Sequence, residues 1–252
     1  MATYQNNGPA LHYRFSAGTG TPIVFLNSLG TDLRIWDDVI ADLAPDVPVL
    51  CIDKRGHGLS DDADITMDLL IADVVALMDH LSLPPALVCG VSVGGMIAQG
   101  MPASHVAGLV LCCTGMKIGD ADGWNARIDA VHSQGLASMA DAVMQRWFSP
   151  GYSTDLPIYR NMLTRTSPAG YAGVCAAIRD SDFSGLTVTA PAHCIAGAQD
   201  LATPPALVKT LANQIGATYQ LIDNCGHLPC IEAPAIVAQA IRDMQVRIAQ
   251  SA

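Results

Sequence analysis

Short apolar runs alternate with stretches of helical periodicity along most of this chain. The apolar runs end in polar residues or glycine and cover residues 23–26, 47–52, 86–89, 106–113, 192–196 and 219–222. Apolar residues also recur at intervals of three and four within 35–43, 68–81 and 236–244, as on one face of a helix. This alternation predicts an α/β fold, with a mostly parallel central sheet, right-handed crossovers and helices on both faces.

The alternation is broken between residues 117 and 184. This segment contains helical and loop-like stretches but no convincing strand, and it carries the aromatic residues Trp124, Trp147, Phe148, Tyr152, Tyr159 and Tyr171. We interpret it as a helical cap inserted into a core made of residues 1–116 and 185–252. Because ligands of open α/β sheets bind beyond the carboxyl ends of the strands, such a cap would enclose the site.

Composition and charge narrow the range of partners. Half of the 252 residues are hydrophobic, 14% are charged, and the formal net charge is −10, with no Lys/Arg cluster to offset it. This balance argues against nucleic acid as a partner. The segment 117–184 holds six basic and seven acidic residues, whereas the remainder holds seven and sixteen. Cations that receive an anionic substrate are therefore expected in this segment or near Arg34.

Two features bear on location. Residues 80–116 contain no Asp, Glu, Lys or Arg, but Pro84, Pro85 and Pro102 interrupt the stretch. An unbroken apolar helix of about 20 residues does not fit there, so no membrane partner is expected. The amino-terminal residues lack the basic and apolar regions of a secretory signal, and five of the eight cysteines lie in predicted buried strands. We expect reduced thiols and a cytoplasmic location.

A candidate nucleophile follows one of the predicted central strands. Ser92 lies in the sequence Gly-Val-Ser-Val-Gly at 90–94, between the apolar run 86–89 and the start of a helical stretch. Strand, G-x-S-x-G and helix in this order form the nucleophile elbow of α/β-hydrolases, in which a strained turn lifts the serine hydroxyl above the sheet. The motif alone also arises by chance, so its weight depends on the residues that follow.

An acid and a histidine do follow, in the order that this fold requires. Asp200 comes just after the predicted strand 192–196, and His227 comes after 219–222. Alone, Asp200 could cap a turn and His227 could be an ordinary loop residue. Together with Ser92 they predict a triad in which His227 takes the serine proton and Asp200 orients the imidazole.

The oxyanion hole of such an enzyme uses two backbone N–H groups. The residue after the nucleophile, Val93, is expected to supply one, at a helix N-terminus whose dipole favours negative charge. The loop after the first core strand is expected to supply the other, from Leu29 or, failing that, Ser28. No metal-ligand spacing, C-x-x-C pair or dinucleotide fingerprint occurs, so we expect neither a metal nor a cofactor.

Several segments resemble the 3-oxoadipate enol-lactonases. They are LNSLGTDLRIWD at 26–37, DKRGHGLS at 53–60, and the cap stretches WNARI at 124–128, RWF at 146–148 and GYAGVCAAIRD at 170–180. Asn-Ser in the first segment, where many hydrolases carry His-Gly, is the most specific of these. The helix after Ser92 is several residues shorter than the family pattern, and Pro102 is expected to end it early.

The resemblance implies hydrolysis of 3-oxoadipate enol-lactone to 3-oxoadipate through an acyl-enzyme, in the breakdown of protocatechuate or catechol (the β-ketoadipate pathway). The substrate is then a small anionic lactone, whose carboxylate needs a cation. We expect Arg127 first, then Arg34, with Arg146 and Arg179 as further candidates, and Trp124 and Trp147 as pocket walls. Each arginine could equally lie on the surface, and Trp147 could pack the cap on the core.

The same triad serves other functions. A carboxylesterase or a carbon–carbon bond hydrolase would share all three residues, and so would a cofactor-free haloperoxidase or perhydrolase. A non-catalytic small-molecule receptor with this fold is a further alternative, against which the intact triad argues. The sequence does not indicate the oligomeric state.

Overall fold

The computed structural model describes residues 2–5, 8–44 and 46–251. Within these residues, eight strands form one sheet: β1 (Ala2–Tyr4), β2 (Leu11–Ser16), β3 (Ile23–Leu26), β4 (Val49–Ile52), β5 (Ala86–Val91), β6 (Val106–Cys112), β7 (Ala192–Gly197) and β8 (Thr218–Ile222). Their order across the sheet is β1-β2-β4-β3-β5-β6-β7-β8. Strands β1 and β2 pair antiparallel with their neighbours, and the other pairings are parallel.

The helices follow the strands in the alternation that the sequence predicts. They are α1 (Asp37–Ala41), α2 (Met67–His80), α3 (Val93–Gly100), α4 (Ala121–Gln134), α5 (Leu136–Trp147), α6 (Leu156–Thr164), α7 (Pro168–Arg179), α8 (Pro205–Ile215), α9 (Pro229–Glu232) and α10 (Pro234–Ser251). Short 3-10 helices cover Leu33–Trp36 and Ala103–His105. Helix α3 ends at Gly100, and Met101, which precedes Pro102, is already extended, as a residue before proline prefers to be.

Two glycines identify which helices cover which face of the sheet. Leu87 pairs with Gly108 across β5 and β6, and it lies three residues from Gly90, so the two glycines face opposite sides. A Cβ on Gly90 would collide with the first turn of α3, whereas one on Gly108 would meet Met244 and Ile248 of α10. Helices α3 and α10 therefore lie on opposite faces, and the predicted fold class is confirmed.

The segment between β6 and β7 contains α4, α5, α6 and α7. Helix α4 packs against α5 and α7, and α5 packs against α6. Their buried side chains include Val131, Leu136, Ala140, Leu163 and Tyr171. The four helices occupy the stretch predicted as a cap; its treatment as a separate unit stays an interpretation. Among the described helices, none is both long and apolar enough to cross a bilayer, and a cytoplasmic location stays a prediction.

Candidate active site

Ser92 occupies a strained turn between β5 and α3. Its backbone has φ +58° and ψ −121°, a conformation that non-glycine residues rarely adopt and that surrounding structure must enforce. The glycines on either side allow the tight reversal. A Cβ on Gly90 would lie 2.3 Å from the Gly94 carbonyl oxygen, and one on Gly94 would lie 2.1 Å from the Leu26 carbonyl oxygen. Only glycine fits at either position.

Neighbouring strands hold the backbone of Ser92 in place. Its N–H donates to the Cys112 carbonyl at 3.0 Å, and its own carbonyl accepts the Thr114 hydroxyl at 2.7 Å. The same carbonyl accepts the amides of Gly95 and Met96 in the first turn of α3. The turn is thus tied to the end of β6 as well as to its own helix, which offsets the cost of its strained dihedrals.

Asp200 and His227 meet in a buried contact beyond the ends of β7 and β8. The Nδ1 of His227 lies 2.9 Å from Oδ2 of Asp200, and both side chains are almost fully buried. The other carboxylate oxygen of Asp200 accepts the amides of Ala202 and Thr203 at 2.7 and 3.0 Å. An Nδ1–H that donates to Asp200 leaves Nε2 free to accept a proton.

Thr203 completes this contact from the loop before α8. Its hydroxyl oxygen lies 2.6 Å from Oδ2 of Asp200, 3.1 Å from Nδ1 of His227 and 2.8 Å from the Cys113 carbonyl oxygen. Burial raises the pKa of Asp200, but the adjacent His227 and the hydroxyl and amide of Thr203 outweigh burial and hold it below its ordinary value. The carboxylate is therefore ionised at neutral pH.

The loop that carries His227 is fixed by the end of α5. The His227 amide donates to the Trp147 carbonyl at 2.8 Å. Glu232 accepts the Gly226 amide at 2.9 Å, together with the amide and hydroxyl of Ser149 at 3.2 and 2.5 Å. Position 226 must be glycine, since a Cβ there would lie 2.8 Å from the Trp147–Ser149 backbone. The histidine loop and the α5 end are thus clamped together.

Leu29 lies in the loop after β3 and faces the same cavity as Ser92 and His227. Gly30 follows with φ +76°, and a Cβ there would collide with Leu163 and Tyr171. The Gly30 amide donates to Nε2 of His57 at 3.0 Å, so His57, from the loop after β4, holds the loop after β3. Val93 is buried as the first residue of α3, where backbone N–H groups have no intrahelical partner.

These residues share a cavity of about 270 Å³. Its walls come from the β3 loop, the elbow, the loops after β6 and β7, and helices α4, α5 and α7; they include Ser28, Leu29, Ser92, Asp120, Trp124, Arg127, Arg146, Trp147, Tyr171, Thr203 and His227. The indole N–H of Trp124 donates to the Ile118 carbonyl at 2.6 Å, which fixes this ring at the wall. A small organic molecule fits such a volume.

The four candidate arginines divide into two groups. Arg127 and Arg146 line the cavity, and neither forms an ion pair within the described residues. Burial and the nearby Arg127 cation lower the pKa of Arg146, and the Arg127 guanidinium lies 5.4 Å from the Trp124 ring centre. Arg34 instead lies outside the cavity, bound to Asp32 at 2.6 and 2.9 Å. Arg179 binds Asp180 and Asn125 on the surface.

One cluster has the spacing of a metal site. The Cys113 sulfur, Asp200 and His227 place ligand atoms within 4.8 Å of one another. Burial raises the pKa of the Cys113 thiol well above its ordinary value, and the thiol donates to the Gly226 carbonyl. A metal needs the thiolate and the unbonded histidine nitrogen, so this donor set fits the observed hydrogen bonds and not an ion.

The fold and this site define the class of protein. Residues 23–240 match the model of the alpha/beta hydrolase family, and the chain belongs to that family. It is 34% identical to 3-oxoadipate enol-lactonase 2 of Acinetobacter baylyi over 94% of both chains, and 32% identical to enol-lactonase 1 of the same organism over 90% of both. The enol-lactonase structure from Burkholderia xenovorans superposes with a TM-score of 0.93 at 33% identity, covering 97% of this chain and all of that one. The resemblance predicted from the sequence is confirmed.

Sequence reasoning missed several residues of the site. Thr203 lies in no motif. Tyr171 was noted as an aromatic residue of segment 117–184 and within a resembling stretch, but not as part of the site. Glu232 is the single glutamate of the chain, a rarity that could have drawn attention to it. Arg146 ranked behind Arg34, because sequence spacing does not reveal which way a cap helix turns its side chains. Lys54 meets the loop after β3 only after folding, where it contacts the Ser28 carbonyl.

Proposed function

We propose that this chain is a serine hydrolase that opens 3-oxoadipate enol-lactone to 3-oxoadipate. The observation that supports this substrate is that Arg127 and Arg146 line the same cavity as Ser92 and His227. Two neighbouring guanidinium groups without a carboxylate partner repel each other in this cavity, and a substrate carboxylate would relieve that repulsion. The similarity to named enol-lactonases supports the same substrate.

The chemistry follows from the groups around Ser92. The serine oxygen attacks the lactone carbonyl while Nε2 of His227 takes its proton, and Asp200 stabilises the imidazolium. The N–H groups of Leu29 and Val93 are proposed to bind the developing oxyanion, a contribution of about 10²–10³ in rate for each donor. Collapse breaks the ring C–O bond and expels an enolate, to which the His227 imidazolium gives its proton. The resulting enol tautomerises to the ketone, and His227 is neutral again.

The second half of the reaction reverses the roles. His227 removes a proton from water, and the resulting hydroxide attacks the acyl carbonyl of the Ser92 ester. Collapse of this second tetrahedral intermediate returns the proton to Ser92 and frees the new carboxylate. The product is then a dicarboxylate whose original carboxylate stays near Arg127 and Arg146, in the cavity that Trp124 and Trp147 also line.

The test is a direct assay with purified enol-lactone. We expect rapid loss of its ultraviolet absorbance with the wild type, and a loss of at least about 10³-fold in kcat for Ser92→Ala. Ser104→Ala, which changes an exposed serine in the 3-10 helix after α3, serves as the matched control and should leave kcat unchanged. A p-nitrophenyl ester and a peroxide-dependent halogenation assay run in parallel.

The outcomes separate the rival functions. Ser92-dependent ester cleavage without lactone opening would keep a hydrolase and reject the lactonase. Peroxide-dependent halogenation at a higher rate than hydrolysis would point to the haloperoxidase alternative. Binding of the lactone with no turnover of any substrate would favour a receptor.

A further inference from the structure

Lys54 is a buried cation next to the loop after β3. It follows β4 and is 6% exposed. Its ammonium donates to the Ser28 carbonyl at 2.6 Å and lies 3.5 Å from the Thr31 carbonyl oxygen. Among the ion pairs of the described residues, none involves Lys54. A buried ammonium that binds backbone carbonyls instead of a carboxylate is costly, so its position calls for a reason.

The Ser28 carbonyl and the Leu29 N–H belong to one peptide unit. Because a trans peptide is planar, its oxygen and its hydrogen point in opposite directions. Donors that hold the oxygen from behind therefore aim the N–H of Leu29 the other way. The hydroxyl and amide of Thr31 also donate to the Ser28 oxygen, at 3.0 and 3.3 Å. Below its pKa of about 7, Lys54 is a charged donor on this oxygen, which further polarises the peptide and strengthens donation by its N–H.

His57 holds the next peptide from the same side. It is 1% exposed, and its Nε2 accepts the Gly30 amide at 3.0 Å, which requires a neutral ring with the proton on Nδ1. Burial, aided by the Lys54 cation, lowers the pKa of His57 well below its ordinary value. The N–H of Gly30 is thereby turned away, and the peptides on both sides of Leu29 are fixed by residues of one segment.

We propose that Lys54 and His57 are positioning residues for the oxyanion hole: Lys54 orients and polarises the peptide that carries the Leu29 N–H, and His57 fixes the peptide that follows. This inference rests on the proposed function, in which the Leu29 N–H binds the oxyanion. Neither side chain touches the substrate. Their effect falls on the transition state, where negative charge develops on the carbonyl oxygen.

The first experiment compares Lys54→Met with Lys54→Gln below pH 7, where the wild-type lysine carries its charge. Methionine fills a similar volume without a donor, whereas glutamine keeps an N–H donor without the charge. We expect Lys54→Met to lower kcat about tenfold, less than the 10²–10³ that loss of a whole donor costs, with KM within about twofold of wild type. Lys54→Gln should fall between the two. Lys209→Met, whose ammonium lies over the Tyr219 ring away from the cavity, is the control.

A second readout isolates the oxyanion hole from general loss of structure. Phenylboronic acid bonds to a serine oxygen and becomes tetrahedral and anionic, so its inhibition constant should weaken by the same factor as kcat. A merely structural role would lower the melting temperature or change KM without this match. His57→Gln, whose amide oxygen can accept the Gly30 N–H, should retain more activity than His57→Leu.

The results distinguish this inference from the proposed function. If the wild type cleaves only the p-nitrophenyl ester, the lactonase proposal fails, and the same comparison is made on the ester. Wild-type kcat and boronate affinity in folded Lys54→Met would overturn the inference while leaving the lactonase intact. If Lys54→Met does not fold, two comparisons replace it. The inference is overturned if Lys54→Gln is as active as the wild type and His57→Leu is as active as His57→Gln. Absence of any Ser92-dependent turnover would overturn both.

Discussion

At the residue scale, the charge of two side chains decides what the cavity accepts. Arg127 and Arg146 come from different helices, α4 and α5, and meet in one cavity without an ion-pair partner in the described chain. Asp120 is the one carboxylate among the lining residues, and it is occupied in capping α4, where it accepts the Gly123 amide at 2.8 Å. The arginines are therefore left to an incoming anion.

Removal of either guanidinium should weaken binding of the anionic lactone. Because hydrogen bonds to charged groups contribute about 1.5–3 kcal/mol, we expect Arg127→Met and Arg146→Met each to raise KM about 10- to 100-fold. The neutral p-nitrophenyl ester should change little. Arg160→Met, which loses only the exposed pair with Asp141 on the cap surface, is the control. An equal loss on both substrates would assign these arginines to packing.

How far single residues could be predicted depends on whether chain order fixes them. Ser92, Asp200 and His227 each follow a strand, and strand ends converge at one edge of a parallel sheet, so their meeting was predictable. Arg34 also follows a strand, but its guanidinium binds the carboxylate of Asp32, two residues earlier, instead of entering the cavity. Such local competition depends on rotamers and burial, which the sequence pattern does not report.

At the element scale, the join between α5 and the histidine loop is the critical one. Glu232 in α9 accepts hydrogen bonds from both segments, and the Trp147 carbonyl accepts the amide of His227. One carboxylate thus fixes the relative position of a cap helix and of the predicted general base.

Replacement of this carboxylate should affect stability and rate together. Glu232→Gln places an amide NH₂ against backbone donors, so we expect a loss of about 1–3 kcal/mol in the free energy of unfolding. For a chain of this length that lowers the melting temperature by roughly 2–4 °C per kcal/mol. We also expect a several-fold fall in kcat. Asp141→Asn is the control. An unchanged melting temperature of Glu232→Gln would show that the hydrogen bonds of Glu232 do not stabilise the fold.

The predicted elements agree with the structure where burial on both faces makes the signal strong. The core strands β3 to β8 lie within two residues of the predicted runs. The antiparallel pair β1 and β2 was missed, because the prediction relied on continuous apolar runs. In β2 the apolar positions alternate with His12 and Arg14, as in a strand with only one buried face. The periodic stretch 35–43 is divided into the 3-10 helix Leu33–Trp36 and the short α1; the same apolar face is buried in both, which is why periodicity alone predicted one helix.

At the scale of the whole molecule, Lys54 should make stability depend on pH. Burial lowers its pKa to about 7 against the opposing effect of Asp53 and Asp32, whereas the ordinary value is 10.5. Between these values the unfolded chain binds a proton that the native state has released, so stability rises with pH across this interval. The gain is present above pH 10.5 and is lost as the pH falls towards 7.

Urea unfolding from pH 7 to 8.5 checks this expectation. Relative to Lys54→Met, the wild type should gain about 1 kcal/mol in the free energy of unfolding per pH unit. Cysteine thiols begin to ionise in the unfolded chain at the upper end of this range. Both proteins carry the same eight cysteines, so the comparison cancels this effect. Parallel pH profiles for the two proteins would contradict the assignment of the effect to Lys54.

The clamp between the cap and the histidine loop also limits how this architecture can diversify. Exchange of segment 117–184 for a different sequence would shift the backbone at Trp147 and Ser149, whose carbonyl and amide bind His227 and Glu232, and would remove the Ser149 hydroxyl. A recombined chain would gain a new specificity and lose the alignment of its base in the same event. A functional chimera must therefore take residues 226–232 from the same parent as segment 117–184. The residues that select the substrate and those that align the predicted general base are then exchanged together.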